Sequence, residues 1–147
     1  MLSAGQYGFD DISIADRIDI GSITVTEAMV DAFSDLTGDR FEIHMSNEAA
    51  ERHGFQGRVA HGLLILSLVD GLKNQAQAQF KAQASLGWDW RFHGPVIVGD
   101  QISACLEVIE KTTISDPERG ILTLAFEVIN QRGELVQSGT NKLMVYR

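Results

Sequence analysis

The sequence predicts an α+β domain in which an antiparallel sheet curls around one long apolar helix. Three observations lead to this prediction. The segment 61–80 begins with a run that is apolar on nearly every helical face, which requires burial on most sides. After residue 86 the chain alternates apolar and polar residues between turn signals, as strands do. The length of 147 residues suits a single domain, residues 1–147, with one core.

The composition excludes several classes of function. The 12 basic and 20 acidic residues give a net charge of −8, which disfavours binding to nucleic acid or to an anionic membrane surface. No apolar segment approaches the ~20 residues that span a bilayer. The first residues carry no signal-like pattern, and the single cysteine, Cys105, excludes an intrachain disulfide. We expect a soluble cytoplasmic protein with no nucleic-acid or membrane partner.

In the first half, local signals define the elements. Residues 12–25 form a β-branched run typical of a strand. Thr26 follows as the N-cap of a helix whose apolar residues recur at helical spacing, and Gly38 is expected to end that helix. A helical turn is expected at residues 46–53, ahead of the long helix at 61–80.

In the second half, turn signals separate strands. Four strands are expected, at residues 86–92, 96–110, 120–131 and 134–145. The second of them is open to a break at Gly99–Asp100. Arg132–Gly133 predicts a tight hairpin, and Pro117 lies in a looser turn.

The residues that carry chemistry lie between positions 37 and 62. Asp39 and His44 follow the predicted end of a helix and can reach one small site if the chain between them turns. A carboxylate and an imidazole that share a water molecule can add or remove water across an activated double bond. One group takes a proton from water while the other delivers a proton to carbon. Taken alone, the spacing favours an exposed Asp39 and a solvated His44, because an Asp and a His five residues apart often occur by chance.

In combination, the motifs resemble a known family. Gly38-Asp39 with His44, followed by Ala60-His61-Gly62 at the start of an apolar helix, is similar to the signature of (R)-specific enoyl-CoA hydratases among MaoC-like dehydratases. The resemblance continues downstream in Trp90-Arg91-Phe92 and in Pro95-Val96-x-x-Gly99-Asp100. Proteins of this family have the hot-dog fold, in which a sheet wraps one long helix. The resemblance therefore implies the same architecture as the residue patterns.

The resemblance also implies a site and a reaction. Asp39 and His44 match the catalytic pair that holds the water added to C3 of an enoyl-CoA thioester. Gly62 matches the glycine whose N–H binds the thioester oxygen. From its position, His61, also in the expected substrate-binding set, is expected to cap the helix entry or fix the Gly62 turn rather than to act as a second base. No cofactor is implied beyond the coenzyme A of the substrate. The family's Asp-x-Asn-Pro-x-His reads Asp-Arg-Phe-Glu-Ile-His here, without the proline that would stiffen the loop.

Asp70 is the remaining substrate-binding candidate. It interrupts the apolar helix and shares a helix face with Ser67 and Asn74. This stripe either lines the acyl pocket or forms a solvated or subunit-facing edge of the helix. Asp70 also keeps open an acyl-CoA thioesterase on the same fold as an alternative to the hydro-lyase. A non-catalytic acyl-CoA-binding module is the second alternative.

Other residues receive simpler interpretations. No metal site is expected from the histidines, because their spacing is irregular and no cysteines accompany them. His53 and His93 are expected to be partly exposed, Trp88 and Trp90 to pack in the core or an interface, and Cys105 to be a core residue. Candidate cations for the coenzyme A phosphates are Arg52, Arg58, Lys73 and Lys81. A homodimer or higher homo-oligomer is expected, because pairing across a two-fold removes an exposed sheet edge, and the family's acyl chain enters between subunits.

Overall fold

A computed structural model describes residues 1–147 and confirms a sheet curled around a helix. The long strands are β2 (Arg17–Thr24), β4 (Ala82–Phe92), β5 (Gln101–Thr113), β6 (Arg119–Ile129) and β7 (Leu135–Tyr146). They form one antiparallel five-stranded sheet in the order β2-β5-β6-β7-β4. Two short strands, β1 (Gly5–Tyr7) and β3 (Ala78–Phe80), pair in parallel as a separate small sheet.

Four α-helices precede β4 in the chain. They are α1 (Glu27–Thr37), α2 (Glu42–Met45), α3 (Asn47–Arg52) and α4 (Gly62–Gln75), with a 3-10 turn at Phe9–Asp11. The Thr26 hydroxyl accepts a hydrogen bond from the Met29 N–H, which caps α1. Gly38 ends that helix in the left-handed conformation, with φ 79°. Ser46 caps α3 in the same way as Thr26 caps α1.

The core lies between α4 and the concave face of the sheet. A cluster of 24 buried apolar residues joins them, with Leu64, Ile65 and Val69 contributed by α4. Strand β6 contributes the predicted alternating set, Leu122, Leu124, Phe126 and Val128. The predicted hot-dog fold is thus confirmed.

Several element boundaries differ from their predictions. Strand β2 begins at Arg17 rather than residue 12, and β4 begins at Ala82 rather than residue 86. Helix α4 stops at Gln75 rather than continuing to residue 80, because the chain turns extended at Ala76 and residues 78–80 pair with β1. Residues 96–100 make only one bridge, between Val59 and Ile97. There the Asp100 carboxylate accepts the Ile97 N–H at 2.9 Å and closes a turn before β5 begins.

Cys105 lies on the sheet face opposite the core. Its neighbours Ala104 and Leu106 are buried, and the strand period of two points Cys105 the other way. Its sulfur is 3.5 Å from an Arg17 guanidinium nitrogen. The prediction of a core cysteine was therefore wrong.

Strand β4 is an edge of the sheet and is largely uncovered. Leu86 is 50% and Phe92 57% exposed on it. Trp88 and Trp90 are half-buried and pack on Phe126, with ring centroids 5.3 and 5.9 Å away, which confirms their packing role. None of the helices is both long and apolar enough to cross a membrane.

Candidate active site

The candidate site forms where α1 ends and α4 begins. After Gly38 the chain leaves α1, and the Asp39 carboxylate accepts the N–H of Phe41 at 3.2 Å. This side-chain turn, followed at once by the one-turn helix α2, orders a loop that lacks proline. Asp39 itself is exposed, whereas His44 on α2 is buried.

The tautomer of His44 is set by the main chain. Its Nδ1 lies 2.6 Å from the carbonyl oxygen of Val59. Because a carbonyl only accepts, Nδ1 carries the proton and donates it, which leaves an unprotonated lone pair on Nε2. Burial lowers the pKa of His44 below its ordinary value of 6.5, outweighing the opposing effect of the Val59 hydrogen bond. His44 is therefore a neutral proton acceptor near pH 7.

Arg58 holds the backbone of that histidine in place. Its Nε donates to the His44 carbonyl at 2.8 Å, and its other guanidinium nitrogens pair with Glu27 at 3.2 Å and Asp31 at 2.7 Å. The side chain is only 9% exposed. Arg58 thus ties α2 to α1, and its predicted availability for coenzyme A phosphates was wrong.

His61 joins the same cluster from the residue before α4. Its Nε2 lies 3.0 Å from the Asp39 carbonyl and 3.1 Å from the Ser34 hydroxyl, and its ring stacks on His44 with centroids 3.9 Å apart. Since the carbonyl requires a donor, Nε2 carries the proton. The ring is buried, and its Nδ1 has no hydrogen-bond partner. His61 thereby links the Asp39 backbone to the start of α4.

Asp39, His44 and His61 each place one ligand-capable atom within 4.8 Å of the other two. The two imidazole planes are nearly parallel, at 26°, so their in-plane lone pairs do not converge on one ion. His53 is exposed and lies 2.6 Å from Glu42, outside this cluster. This geometry suits proton transfer to a small molecule better than metal coordination. The expectation of no metal stays a prediction.

Gly62 opens α4 at the inner end of a cleft. The first amides of a helix have no intrahelical acceptor, so its N–H is free to bind a ligand oxygen. A Cβ at this position would overlap the ring of Phe92, which shows how closely β4 approaches the helix. His44 and Gly62 both line a cleft of about 260 Å³. A wider polar cleft of about 540 Å³ adjoins it and shares Phe55, His93, Gly94 and Pro95.

Asp70 lies elsewhere on α4. It is about two helical turns beyond Gly62 and is not among the residues that line the cleft. Its carboxylate is 2.9 Å from Lys73 Nζ, a buried ammonium that also lies 5.6 Å from the Trp88 ring centroid. Lys73 is consequently not free for coenzyme A, contrary to that prediction. The substrate-binding role of Asp70 stays a prediction.

Three residues have structural roles in the site that the sequence analysis did not predict. Ser34 is fully buried against His61, Arg58 anchors His44, and Gln137 is a buried cleft residue on β7. Only Ser34 leaves a usable signal, because it follows Val30 by four residues and so shares the inward stripe of α1. Arg58 and Gln137 are recognisable only once the chain is folded.

A family model described as the MaoC-like domain matches residues 13–128, most of the chain. The chain belongs to the MaoC-like dehydratase family. The (R)-specific enoyl-CoA hydratase of Aeromonas caviae is 34% identical over 112 residues, which cover 76% of this chain and 80% of that enzyme. The family assignment makes this a member of a hydro-lyase family.

Solved structures of MaoC-like proteins share the whole fold. A protein from Archaeoglobus fulgius, described as a monoamine oxidase regulatory protein, superimposes with a TM-score of 0.89 at 35% identity over 99% of both chains. The MaoC-like dehydratase of Rhodospirillum rubrum gives a TM-score of 0.88 at 28% identity, covering 96% of this chain and 97% of that one. The predicted family and fold are thus confirmed.

Burial of His44 predicts how stability depends on pH. Between its lowered pKa and 6.5, the unfolded chain binds more protons at this residue than the folded chain does. Its contribution to stability is therefore complete above pH 6.5 and is lost as the pH falls from 6.5 through the lowered pKa. In urea unfolding across this range, wild type should lose more stability than His44→Gln. NMR titration should place the His44 midpoint below 6.5, and a midpoint above 6.5 would contradict the burial argument.

Proposed function

We propose that this MaoC-like protein adds water to, or removes it from, the C2–C3 bond of an acyl-CoA thioester, as a hydro-lyase. The observation that carries the proposal is the approach of the Asp39 carboxylate and the His44 imidazole to within 4.8 Å, beside the cleft that Gly62 opens. His44 lines that cleft together with Gly62, whose N–H is free, and the Asp39 carboxylate lies next to His44 although Asp39 is not itself a lining residue. The similarity to the Aeromonas caviae hydratase supports the same reaction.

In the hydration direction, a water molecule held by Asp39 and His44 attacks C3. One of the pair takes its proton, the C3–O bond forms, and the π electrons move toward the thioester oxygen. The Gly62 N–H stabilises the resulting enolate, aided by the positive end of the α4 dipole. The proton taken from water passes to the other member of the pair, which delivers it to C2 to form the new C2–H bond, so both groups end in the protonation state in which they began. Dehydration follows the same steps in reverse.

The adjoining clefts suit a substrate with an apolar and a polar part. The smaller cleft, next to Gly62, includes the apolar residues Ile43, Phe55 and Val96 in its lining. The lining of the wider cleft includes the polar residues Arg132, Glu134 and Gln56. We propose that the acyl group occupies the first and the thioester's polar arm the second. Asp70 remains in the proposed substrate-binding set, as a polar residue on α4.

The protein has a single cysteine, which suits the reducing environment of the cytoplasm. We therefore propose the cytoplasm as the location of the reaction.

Substitutions in the pair test this function. With crotonyl-CoA as substrate, Asp39→Asn and His44→Ala should each lower kcat/KM by ~10²-fold or more, because each removes one proton-transfer group. Loss of the enoyl-thioester absorbance measures the rate. His53→Ala is the matched control, since His53 is exposed and bound to Glu42 outside the cleft, and it should keep the wild-type rate.

The same assay separates the alternatives. Release of free coenzyme A from crotonyl-CoA would identify a thioesterase, in which water attacks the carbonyl rather than C3. Tight binding of acyl-CoA without turnover would identify a non-catalytic binding module. Near-wild-type rates in both pair variants would remove Asp39 and His44 from the mechanism.

We also propose that the chain functions as a homodimer or higher homo-oligomer paired through β4. The outer edge of β4 carries unpaired N–H and C=O groups, and Leu86 and Phe92 are exposed on it. Phe92 also lines the cleft beside Gly62, so a partner strand would complete the cleft wall. Pairing two copies of this edge would cover both features.

Sedimentation tests the assembly. Wild type should sediment as a dimer or larger at micromolar concentration, and Leu86→Lys should shift it toward monomer by placing a charge at the covered edge. Ile14→Lys is the matched control, because Ile14 is 61% exposed but lies outside β4, and it should not change the assembly. A monomeric wild type would contradict the proposal, as would equal effects of the two variants.

A further inference from the structure

Gln137 is a buried amide that connects three elements at the candidate site. It lies on β7, is 2% exposed, and lines the cleft together with Gly62 and His44. Its side-chain oxygen accepts the indole N–H of Trp90 at 2.7 Å, and its nitrogen donates to the Gly62 carbonyl at 3.1 Å. The orientation of the amide is fixed by its partners, since an indole only donates and a carbonyl only accepts. Gln137 therefore joins β4 and β7 to the first residue of α4.

This link acts at a helix start that has no side-chain cap. The residue before α4 is His61, whose side chain makes no capping hydrogen bond to the helix. Gly62 has no side chain with which to pack, although Phe92 lies directly against it. The bond from Gln137 is thus a side-chain restraint applied to Gly62 itself, and it comes from the sheet rather than from the helix.

We propose that Gln137 is the positioning residue that aims the Gly62 N–H at the thioester oxygen, with Trp90 orienting the Gln137 amide. This inference rests on the proposed function, in which that N–H stabilises the enolate. A donor contributes most when it is already directed at the place where charge develops, so losing the restraint lowers kcat more than it weakens substrate binding. A misplacement of about 1 Å can cost ~10²-fold in rate.

A buried amide on the same strand supplies a matched control. Asn141 is fully buried on the same face of β7, but its nitrogen donates to the Ser85 hydroxyl and the Gly87 carbonyl of β4. It makes no hydrogen bond to α4. A change from amide to carboxylate at Asn141 therefore reproduces the stability cost of altering a buried amide without touching the link to Gly62.

The kinetic test compares Gln137→Met, Gln137→Glu and Asn141→Asp with crotonyl-CoA. Gln137→Met removes both hydrogen bonds at similar size, and kcat should fall by ~10- to 100-fold with KM changed by less than about threefold. Trp90→Phe should give a smaller fall in kcat, because the Gln137 amide then loses the indole hydrogen bond but keeps its bond to the Gly62 carbonyl. Asn141→Asp should unfold at lower urea concentration yet keep the wild-type kcat. Equal falls in kcat for Gln137→Met and Asn141→Asp would overturn the proposal.

Gln137→Glu gives a pH signature that a purely structural role would not produce. An ionised Glu still accepts from Trp90 but repels the Gly62 carbonyl, whereas a protonated Glu can donate to that carbonyl as Gln does. Its kcat relative to wild type should therefore recover as the pH falls, while the ratio for Gln137→Met stays flat. A flat ratio for Gln137→Glu as well would count against the link.

A readout without turnover keeps this inference separate from the proposed function. In folded Gln137→Met, the amide resonances of Gly62 and Leu63 should shift and exchange hydrogen faster, and the Trp90 indole N–H should move toward its solvent-exposed position. Asn141→Asp should leave all three signals in place. Unchanged Gly62 and Leu63 signals in Gln137→Met would overturn the proposal even if the enzyme turned over. If the signals shift as expected in Gln137→Met but the wild-type protein hydrates no enoyl-CoA, only the proposed reaction would be refuted.

Discussion

The hydrogen bond between His44 and the Val59 carbonyl is the constraint on which the site depends. At 2.6 Å it fixes both the direction of the ring and the nitrogen that carries the proton. Val59 is itself held, because its N–H donates to the Ile43 carbonyl at 3.0 Å and it bridges to Ile97. The segment before α4 therefore holds the loop that carries Asp39 and His44, the proposed proton-transfer groups, and that loop is ordered without a proline.

Ion pairs and burial also stabilise the arrangement around His44. Arg58 sits beneath α2 with two carboxylates of α1 as partners, so its burial leaves no uncompensated charge. His44, whose pKa burial lowers, stacks on the ring of His61 in the buried cluster. Asp39, by contrast, is exposed to solvent. The carboxylate and the imidazole thus lie within 4.8 Å of each other in different environments.

Much of the fold was predictable because its signals are local. Thr26, Gly38 and the alternation in β6 each specify a boundary or a face through nearby atoms alone. The end of α4 was not predictable, because residues 78–80 pair with β1, which lies more than 70 residues earlier in the chain. Cys105 was predicted on the wrong face, although the alternation of its neighbours Ala104 and Leu106 with it already assigns it to the opposite side of the strand. In the site, Asp39, His44, His61 and Gly62 were recognisable as a motif, whereas the roles of Arg58 and Gln137 arise from contacts distant in sequence.

The most direct test asks whether Asp39 and His44 serve one water molecule. Two groups that act as a unit lose their joint contribution when either is removed, so their effects do not add. The double variant Asp39→Asn/His44→Ala should therefore hydrate crotonyl-CoA no more than about threefold slower than the slower single variant. Independent contributions would instead multiply, lowering the rate by ~10⁴-fold, and that result would contradict a shared water between the two side chains.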